Sequence, residues 1–138
     1  MRLYLDTSAL AKRYVLEKGS DIVAKKCEEA SVILLSILSP VEMASVFSRM
    51  HREKKLTEKQ HMELRKEFAM DLAGATIIRL DEGVITGSIS YVEKRGIATL
   101  DAIHVASAEA SECTLFLTAD IRQYSAAKAG GLKSELVG

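Results

Sequence analysis

Short aliphatic runs alternate along the chain with longer segments of helical character, and this alternation restricts the fold more than any other feature. The runs are continuous and rich in Leu, Ile and Val, as expected of strands buried on both faces of a sheet. Strands separated by helices pair in parallel, with helices on both faces. The sequence therefore predicts an α/β fold with a mainly parallel central sheet. The predicted strands are residues 3–5, 32–38, 76–80, 115–118 and, with a weaker pattern, 132–137.

Helical signals fill the segments between these strands. Leu64, Phe68 and Leu72 recur at i, i+4 and i+8, and Gly96 is a typical helix end. The predicted helices are residues 21–30, 39–53, 57–73, 82–94, 101–111 and 121–129. Because no linker, repeat or low-complexity tract interrupts the pattern, residues 1–138 are expected to form one domain.

Four acidic residues, Asp6, Glu42, Asp101 and Asp120, fall where a predicted strand ends or a predicted helix begins. Ligands of such sheets bind beyond the carboxyl ends of the strands, where these four side chains are expected to converge on one spot. Two carboxylates ~4 Å apart repel by roughly 4 kcal/mol at an effective dielectric constant of about 20. The cluster therefore needs protons or cations, and oxygen ligands suit a hard divalent ion such as Mg²⁺ or Mn²⁺.

Each acid also has a structural interpretation. Glu42 stands three residues after Ser39 in a capping-box pattern, which explains it without a catalytic role. Asp6, Asp101 and Asp120 could each cap a helix or lie in its first turn.

Hydroxyl side chains stand beside three of these acids and were already available as caps. They are Thr7 and Ser8 after Asp6, Thr99 before Asp101, and Thr118 before Asp120. Taken together, this pattern favours a set of positions in which negative charge itself is required.

The remaining polar residues have simpler interpretations. Asp81 is expected to cap the helix that follows it. His104 lies one turn beyond Asp101, where it could hold a carboxylate or touch a substrate, although a histidine packed against the sheet is the commoner environment. His51 and His61 flank a predicted helical hairpin and are expected to be solvated. The basic residues at the tip of that hairpin are expected to form a solvated or partner-facing surface, with RNA contact as the alternative: Arg49, Arg52, Lys54 and Lys55.

Charge and cysteine content exclude several classes of protein. The chain has 19 basic and 19 acidic residues, which argues against a DNA-coating protein. If the four acids of the predicted site are neutralised by metal, 15 acidic residues remain, and the rest of the protein has an excess of 19 − 15 = 4 positive charges. Such an excess is compatible with binding to nucleic acid.

Cys27 and Cys113 form no C-x-x-C pair, so free buried thiols are expected and a zinc site is not. No apolar run approaches the ~20 residues of a membrane span, and no signal-peptide core precedes Asp6, so a cytoplasmic location is expected.

Four segments, LYLDTSALAKRYV, SPVEMASVF, LDAIHVASA and LTADIRQYSAAKAGGL, resemble in this order the motifs of PIN-domain ribonucleases and, among them, the VapC toxins of prokaryotic toxin–antitoxin pairs. LDAIHVASA is the most specific match, and Tyr124 stands where a phenylalanine is often found. The resemblance covers essentially the whole chain. It implies a three-layer α/β/α sandwich, a metal-dependent endoribonuclease acting on single-stranded or looped RNA, and a homodimer inhibited by a small antitoxin. The implied acidic site is Asp6, Glu42, Asp101 and Asp120, with Thr7, Ser8 and Thr118 as supporting polar residues.

The expected chemistry uses one or two Mg²⁺ ions, which activate a water molecule and neutralise charge on the phosphate. Asp6 and Asp101 are predicted as the main ligands. Glu42 would bind directly or through water, and Asp120 would complete the shell or a second metal position. Products would carry a 5′-phosphate and a 3′-hydroxyl.

Other protein classes fit less well. A receiver domain would need an acidic pair after the first strand and a lysine after the last, and a haloacid-dehalogenase-type phosphatase would need Asp where Ser8 stands. The chain also has no glycine-rich phosphate loop and no G-x-S-x-G elbow. A non-catalytic PIN-fold module that binds another protein is the remaining alternative.

Overall fold

The computed structural model covers residues 1–138, and strands and helices alternate through it as the sequence predicts. The five strands are β1 (Arg2–Leu5), β2 (Val32–Ser36), β3 (Thr76–Ile78), β4 (Leu115–Thr118) and β5 (Ser134–Leu136). The seven helices are α1 (Thr7–Ala11), α2 (Ser20–Glu29), α3 (Ser39–Arg52), α4 (Glu58–Gly74), α5 (Glu82–Arg95), α6 (Thr99–Ala110) and α7 (Ile121–Ala129). None of the helices is long and apolar enough to cross a membrane.

The strands form one parallel sheet in the order β3-β2-β1-β4-β5, with β1 at its centre. Alternate residues of β1 face opposite sides of the sheet. Leu3 and Leu5 therefore lie in one buried cluster with Phe47 of α3, while Tyr4 lies in a second cluster with Val105 of α6. Apolar cores on both faces of a parallel sheet confirm the predicted three-layer α/β/α sandwich.

Three boundaries differ from the prediction for local reasons. β2 ends at Ser36 because the chain turns there, and the Ser36 hydroxyl accepts a hydrogen bond from the backbone N–H of Leu38. β3 ends at Ile78, and α6 begins at Thr99, which places Asp101 inside its first turn. Helix α1 was not predicted, because five residues carry no readable period. The other predicted bounds agree within two residues.

The cysteines and two of the histidines partly follow the prediction. Cys27 and Cys113 are free, as expected, but both are half-buried. His51 and His61 were expected to be solvated. They instead lie partly buried against each other, with ring centroids 4.9 Å apart.

Candidate acidic site at the carboxyl edge of the sheet

The four predicted acids all lie at the carboxyl edge of the sheet. Asp6 directly follows β1, and Asp120 follows β4 after one intervening residue. Glu42 and Asp101 lie in the first turns of α3 and α6. The topology therefore brings together residues from four distant parts of the chain, as the alternating pattern predicts.

Asp6 is the most buried of the four, with 1% of its surface exposed. Its carboxylate accepts hydrogen bonds from the hydroxyls of Ser8 and Thr118, at 2.7 Å to Oδ2 in each case, and from the backbone N–H of Ala9 at 2.9 Å. Burial raises the pKa of Asp6 above its ordinary value, and the nearby His104 and these hydrogen bonds oppose that shift only in part. No lysine or arginine forms an ion pair with it. Asp6 is thus a buried acid without a cationic partner.

Two of the acids also cap helices. Asp6 is the N-cap of α1, and Asp120 is the N-cap of α7, where its Oδ1 accepts two backbone N–H groups at 2.8 and 3.1 Å. The neighbouring hydroxyls do not act as caps in their place. Ser8 and Thr118 donate to Asp6, so these hydroxyls support the carboxylate. Asp81 caps α5 through the N–H of Val84, as predicted.

The capping-box interpretation of Glu42 is wrong. The N-cap of α3 is Leu38, which makes no side-chain cap, and the hydroxyl of Ser39 is buried without a partner. The Oε1 atom of Glu42 instead accepts hydrogen bonds from Thr7 Oγ1 and His104 Nε2, both at 2.7 Å. Burial opposes the charge of Glu42, but the interaction with His104 and the hydrogen bond from Thr7 outweigh it and lower the pKa.

His104 is packed against the sheet, as expected, and also holds a carboxylate. It is 1% exposed, and its Nδ1 lies 2.9 Å from the hydroxyl of Tyr4 in the central strand. Sequence reasoning placed His104 correctly but did not identify its partners. Glu42 and Tyr4 are 62 and 100 positions away, so no local pattern indicates either contact.

Gln123 is a further site residue that sequence reasoning missed. Its side-chain Nε2 donates to Asp101 Oδ1 at 2.9 Å, and its backbone N–H donates to Asp120 Oδ1 at 3.1 Å. It is 4% exposed. The available signal was its position three residues after the N-cap Asp120. Gln123 therefore ties two of the predicted acids together.

The four carboxylates form two hydrogen-bonded groups, and their oxygens do not share one position. One group runs from Asp6 through Thr118 to Asp120, Gln123 and Asp101. The other joins Glu42 to Thr7, His104 and Tyr4. No three His, Cys, Asp or Glu side chains lie close enough to hold a metal ion. The prediction that the four acids meet at one edge of the sheet is therefore confirmed. The prediction that their carboxylate oxygens converge on one spot is wrong for this structure.

The donor set nevertheless fits a hard divalent cation. Its ligands would be carboxylate oxygens, which Mg²⁺ and Mn²⁺ prefer. Asp6 supplies the strongest sign, because a buried carboxylate without a cation is unfavourable unless it is protonated. Asp101 and Glu42 each have one carboxylate oxygen that accepts no hydrogen bond, Oδ2 and Oε2 respectively, and these atoms are free to bind an ion.

A groove of about 550 Å³ begins beside the site. Thr7 and Ser8 line one part of it, and Arg49 and Lys55 line another. Arg49 is exposed and forms no ion pair, whereas Lys55 lies 3.7 Å from Glu53. Two of the four basic hairpin residues therefore line the groove, together with Glu17 and Glu53.

The fold and the site define a class: a parallel α/β sandwich with a hydrogen-bonded set of acids at the carboxyl edge of its central strands. The chain belongs to the PIN domain family, whose model matches residues 3–129. No curated protein sequence matches the chain.

Solved structures with the same fold come from several bacteria. VapBC2 from Rickettsia felis, bound to a DNA fragment from its promoter, gives a TM-score of 0.71 at 16% identity, over 99% of this chain and 98% of that one. FitAcB from Neisseria gonorrhoeae gives 0.69 at 17% identity, over 96% and 95%. Mycobacterium tuberculosis VapC20, described as a sarcin–ricin loop cleaving toxin, gives 0.63 at 13% identity, over 94% and 95%. At these identities the likeness establishes the fold.

Proposed function

We propose that this protein is a metal-dependent endoribonuclease that hydrolyses RNA phosphodiester bonds and acts as the toxin of a toxin–antitoxin pair. The observation that carries the proposal is Asp6, a buried acid without a cation at the carboxyl edge of a PIN-domain sheet. The likeness to VapC20, a toxin that cleaves the sarcin–ricin loop, supports RNA as the substrate.

The proposed roles follow from the positions of the four acids. Asp6 and Asp101 are the main metal ligands, Glu42 binds directly or through water, and Asp120 completes the shell or a second metal position. A bound Mg²⁺ or Mn²⁺ ion would lower the pKa of a water molecule and offset charge on the phosphate. Thr118 holds Asp6 from the side of β4 and accepts the backbone N–H of Asp120 at 3.0 Å.

Recognition of the RNA strand is assigned to the groove beside the site. Arg49 is the free cation in that groove, and Lys55 lies along it. Lys and Arg side chains neutralise backbone phosphates without reading sequence. In the proposed hydrolysis water attacks the phosphorus, the P–O3′ bond breaks and the 3′ oxygen leaves and takes up a proton, so the expected products carry a 5′-phosphate and a 3′-hydroxyl.

Cleavage of an RNA pool by purified protein tests the proposal. We expect cleavage with Mg²⁺ or Mn²⁺, none with EDTA, and none by Asp101→Asn, which keeps the shape of the side chain but loses its charge. Asp81→Asn is the matched control, because Asp81 caps α5 outside the acidic site and asparagine is an equally good cap. It should cleave at the wild-type rate.

The non-catalytic PIN-fold module is the second candidate function. It is favoured by the separation of the carboxylate oxygens, since no three acids are placed to share an ion. Folded wild-type protein that cleaves neither single-stranded nor structured RNA with any divalent ion would support it and contradict the nuclease proposal.

An apolar rim supports the proposed antitoxin partner. Val41, Leu100 and Ile121 are 72%, 49% and 59% exposed, and each stands directly beside one of the proposed acidic ligands. Large exposed apolar side chains around a polar site are typical of a surface that another protein covers. We assign this rim to the inhibitory segment of the antitoxin.

A further inference from the structure

We propose that His104 is a positioning residue that, held in turn by Tyr4, fixes Glu42 with one carboxylate oxygen engaged and the other free. The inference rests on the proposed function, in which Glu42 belongs to the reacting site. It adds to that function a residue pair outside the acidic set, His104 and Tyr4, with a defined task.

The two oxygens of Glu42 differ in their contacts. Oε1 accepts two short hydrogen bonds, from Thr7 and from His104, whereas Oε2 accepts none. The side chain is 22% exposed, so it lies at the border between the core and the site. A glutamate anchored through one oxygen presents the other in a fixed direction, which is what a ligand or water-orienting carboxylate needs.

The direction of the hydrogen bonds follows from the groups involved. The carboxylate of Glu42 has no hydrogen to give, so His104 Nε2–H is the donor. In the neutral ring Nδ1 then accepts, and the hydroxyl of Tyr4 donates to it at 2.9 Å. Tyr4 is fully buried, and a tyrosine hydroxyl carries its hydrogen at neutral pH, so it is the donor in this contact. The chain Tyr4–His104–Glu42 thus selects one tautomer.

This chain of hydrogen bonds connects Glu42 to the central strand of the sheet. Tyr4 lies in β1, which pairs with a strand on each side. His104 also packs edge-on against the Tyr4 ring, with centroids 6.0 Å apart at 76°. Because His104 is 1% exposed, it has no direct access to a substrate and can influence the site only through the groups it contacts, of which Glu42 is the nearest acid.

Removal of the Tyr4 hydroxyl tests the proposal at the far end of the chain. We expect Tyr4→Phe to lower kcat about 10- to 100-fold with little change in KM, the usual range for residues that orient a ligand. Tyr14→Phe is the control, because it removes a half-buried hydroxyl that donates to Asp71 in a different part of the protein. It should leave kcat unchanged.

Two further variants separate positioning from stability. In the Glu42→Gln background, Tyr4→Phe should cause no further loss of kcat, because the positioned carboxylate is already gone. An equal loss of kcat in both backgrounds would overturn the proposal. His104→Gln, which keeps an N–H donor, should retain more activity than His104→Ala, and equal activity of the two would also contradict it.

A measurement independent of catalysis distinguishes this proposal from the proposed function. Imidazole nitrogen shifts in long-range ¹H–¹⁵N NMR spectra should show His104 as the pure Nε2–H tautomer in the wild type and as a mixture in Tyr4→Phe. If the wild-type protein cleaves RNA but His104 is a mixture of tautomers, the positioning role is contradicted and the proposed function is not. A fixed tautomer in a protein that cleaves nothing would remove the nuclease proposal and leave the hydrogen-bonded chain as architecture.

Discussion

Asp6 and Glu42 lie at the same edge of the sheet, yet their surroundings shift the pKa values of the two carboxyl groups in opposite directions. Asp6 is surrounded by hydroxyls and a backbone N–H, which compensate its burial only in part and leave its pKa raised. Glu42 receives hydrogen bonds from Thr7 and His104 that outweigh burial and lower its pKa. Hydroxyl groups donate hydrogen bonds to a carboxylate but leave its negative charge in place, whereas a bound cation would neutralise that charge. The difference identifies Asp6 as the residue that gains most from a metal ion.

Asp6→Asn should stabilise the metal-free protein at neutral pH. The raised pKa means that the ionised carboxylate costs native stability above its ordinary pKa, and that the cost disappears as the pH falls and Asp6 is protonated in both states. The hydroxyls of Ser8 and Thr118 can accept from the new amide. Thermal unfolding should show a higher Tm for the variant, with an advantage that shrinks in acid.

Mn²⁺ provides the second half of this test. A ligand that binds only the native state raises its Tm, so Mn²⁺ should stabilise the wild type and leave Asp6→Asn unchanged. Asp81→Asn, at a cap outside the site, should respond to Mn²⁺ like the wild type. An equal response of Asp6→Asn would remove Asp6 from the ligand set.

Glu42→Gln should have the opposite effect on stability. A lowered pKa contributes stability that is present above the ordinary glutamate value of 4.5 and is lost as the pH falls through the folded-state value. The variant should therefore be less stable than the wild type at neutral pH, and the two should approach each other in acid. Urea unfolding at a series of pH values measures the difference, and a constant gap at all pH values would contradict the assigned shift.

At the scale of single residues, the sequence was sufficient to place the four acids at the carboxyl edge of the sheet but not to identify their hydrogen-bond partners. Asp6 and Asp120 are recognisable because each follows a strand within two positions. Glu42 was misread as a local cap because Ser39 and Pro40 form a good capping pattern, whereas its real partner His104 is 62 residues away. Contacts of that separation depend on which strands are neighbours, and no local pattern carries that information.

The elements that carry the site depend on one close helix contact. α5 and α6 pack at Gly87, where an added Cβ would lie 3.2 Å from the Cβ of Ala106. Asp101 and His104 are on α6, so this contact sets how closely α5 approaches the helix that carries them. The sequence predicted both helices. It gave no sign that Gly87 is an interface residue, because a glycine inside a helical pattern has no characteristic partner.

Gly87→Val should separate the two helices. Overpacking of this kind typically costs about 1–3 kcal/mol, and here it should also lower RNA cleavage because α6 moves with its acidic residue. Gly74→Ala, at the end of α4, is the control. Nothing lies within 4 Å of its added Cβ, so it should stabilise the protein by about 0.4–1 kcal/mol. Urea unfolding measures both, and a neutral Gly87→Val would show that the contact is loose.

At the scale of the whole molecule, the balanced charge conceals an uneven surface. The acids of the site lie at one edge of the sheet, and the groove beside them exposes Arg49. Apolar side chains are exposed elsewhere: Ile85, Ile89 and Val92 of α5, at 42%, 53% and 39%, recur at i, i+4 and i+7.

The alternation of strands and helices predicted the sandwich, because it is a property of the whole chain. The strand order came only with the structure.

We predict that the exposed stripe on α5 is the contact surface of the homodimer that the resemblance to VapC toxins implies. Light scattering should give twice the chain mass, 2 × 15.1 = 30.2 kDa. Ile89→Glu would bury a charge in that contact, and we expect it to yield the 15.1 kDa monomer. Met70→Glu, at an exposed apolar position of α4, should remain a dimer. A wild-type monomer, or a dimer unaffected by Ile89→Glu, would contradict the assignment.

The central position of β1 has a consequence for synthesis on the ribosome. β1 is translated before its neighbour β4, so Leu3 has no pairing partner in β4 until Leu115 has been added. At about 5–20 residues per second, the 112 residues between them take roughly 6 to 22 s. Thr118 and Gln123, which hold the acids in place, are translated later still. A nascent chain of this design therefore carries no assembled site until residue 123 has been translated.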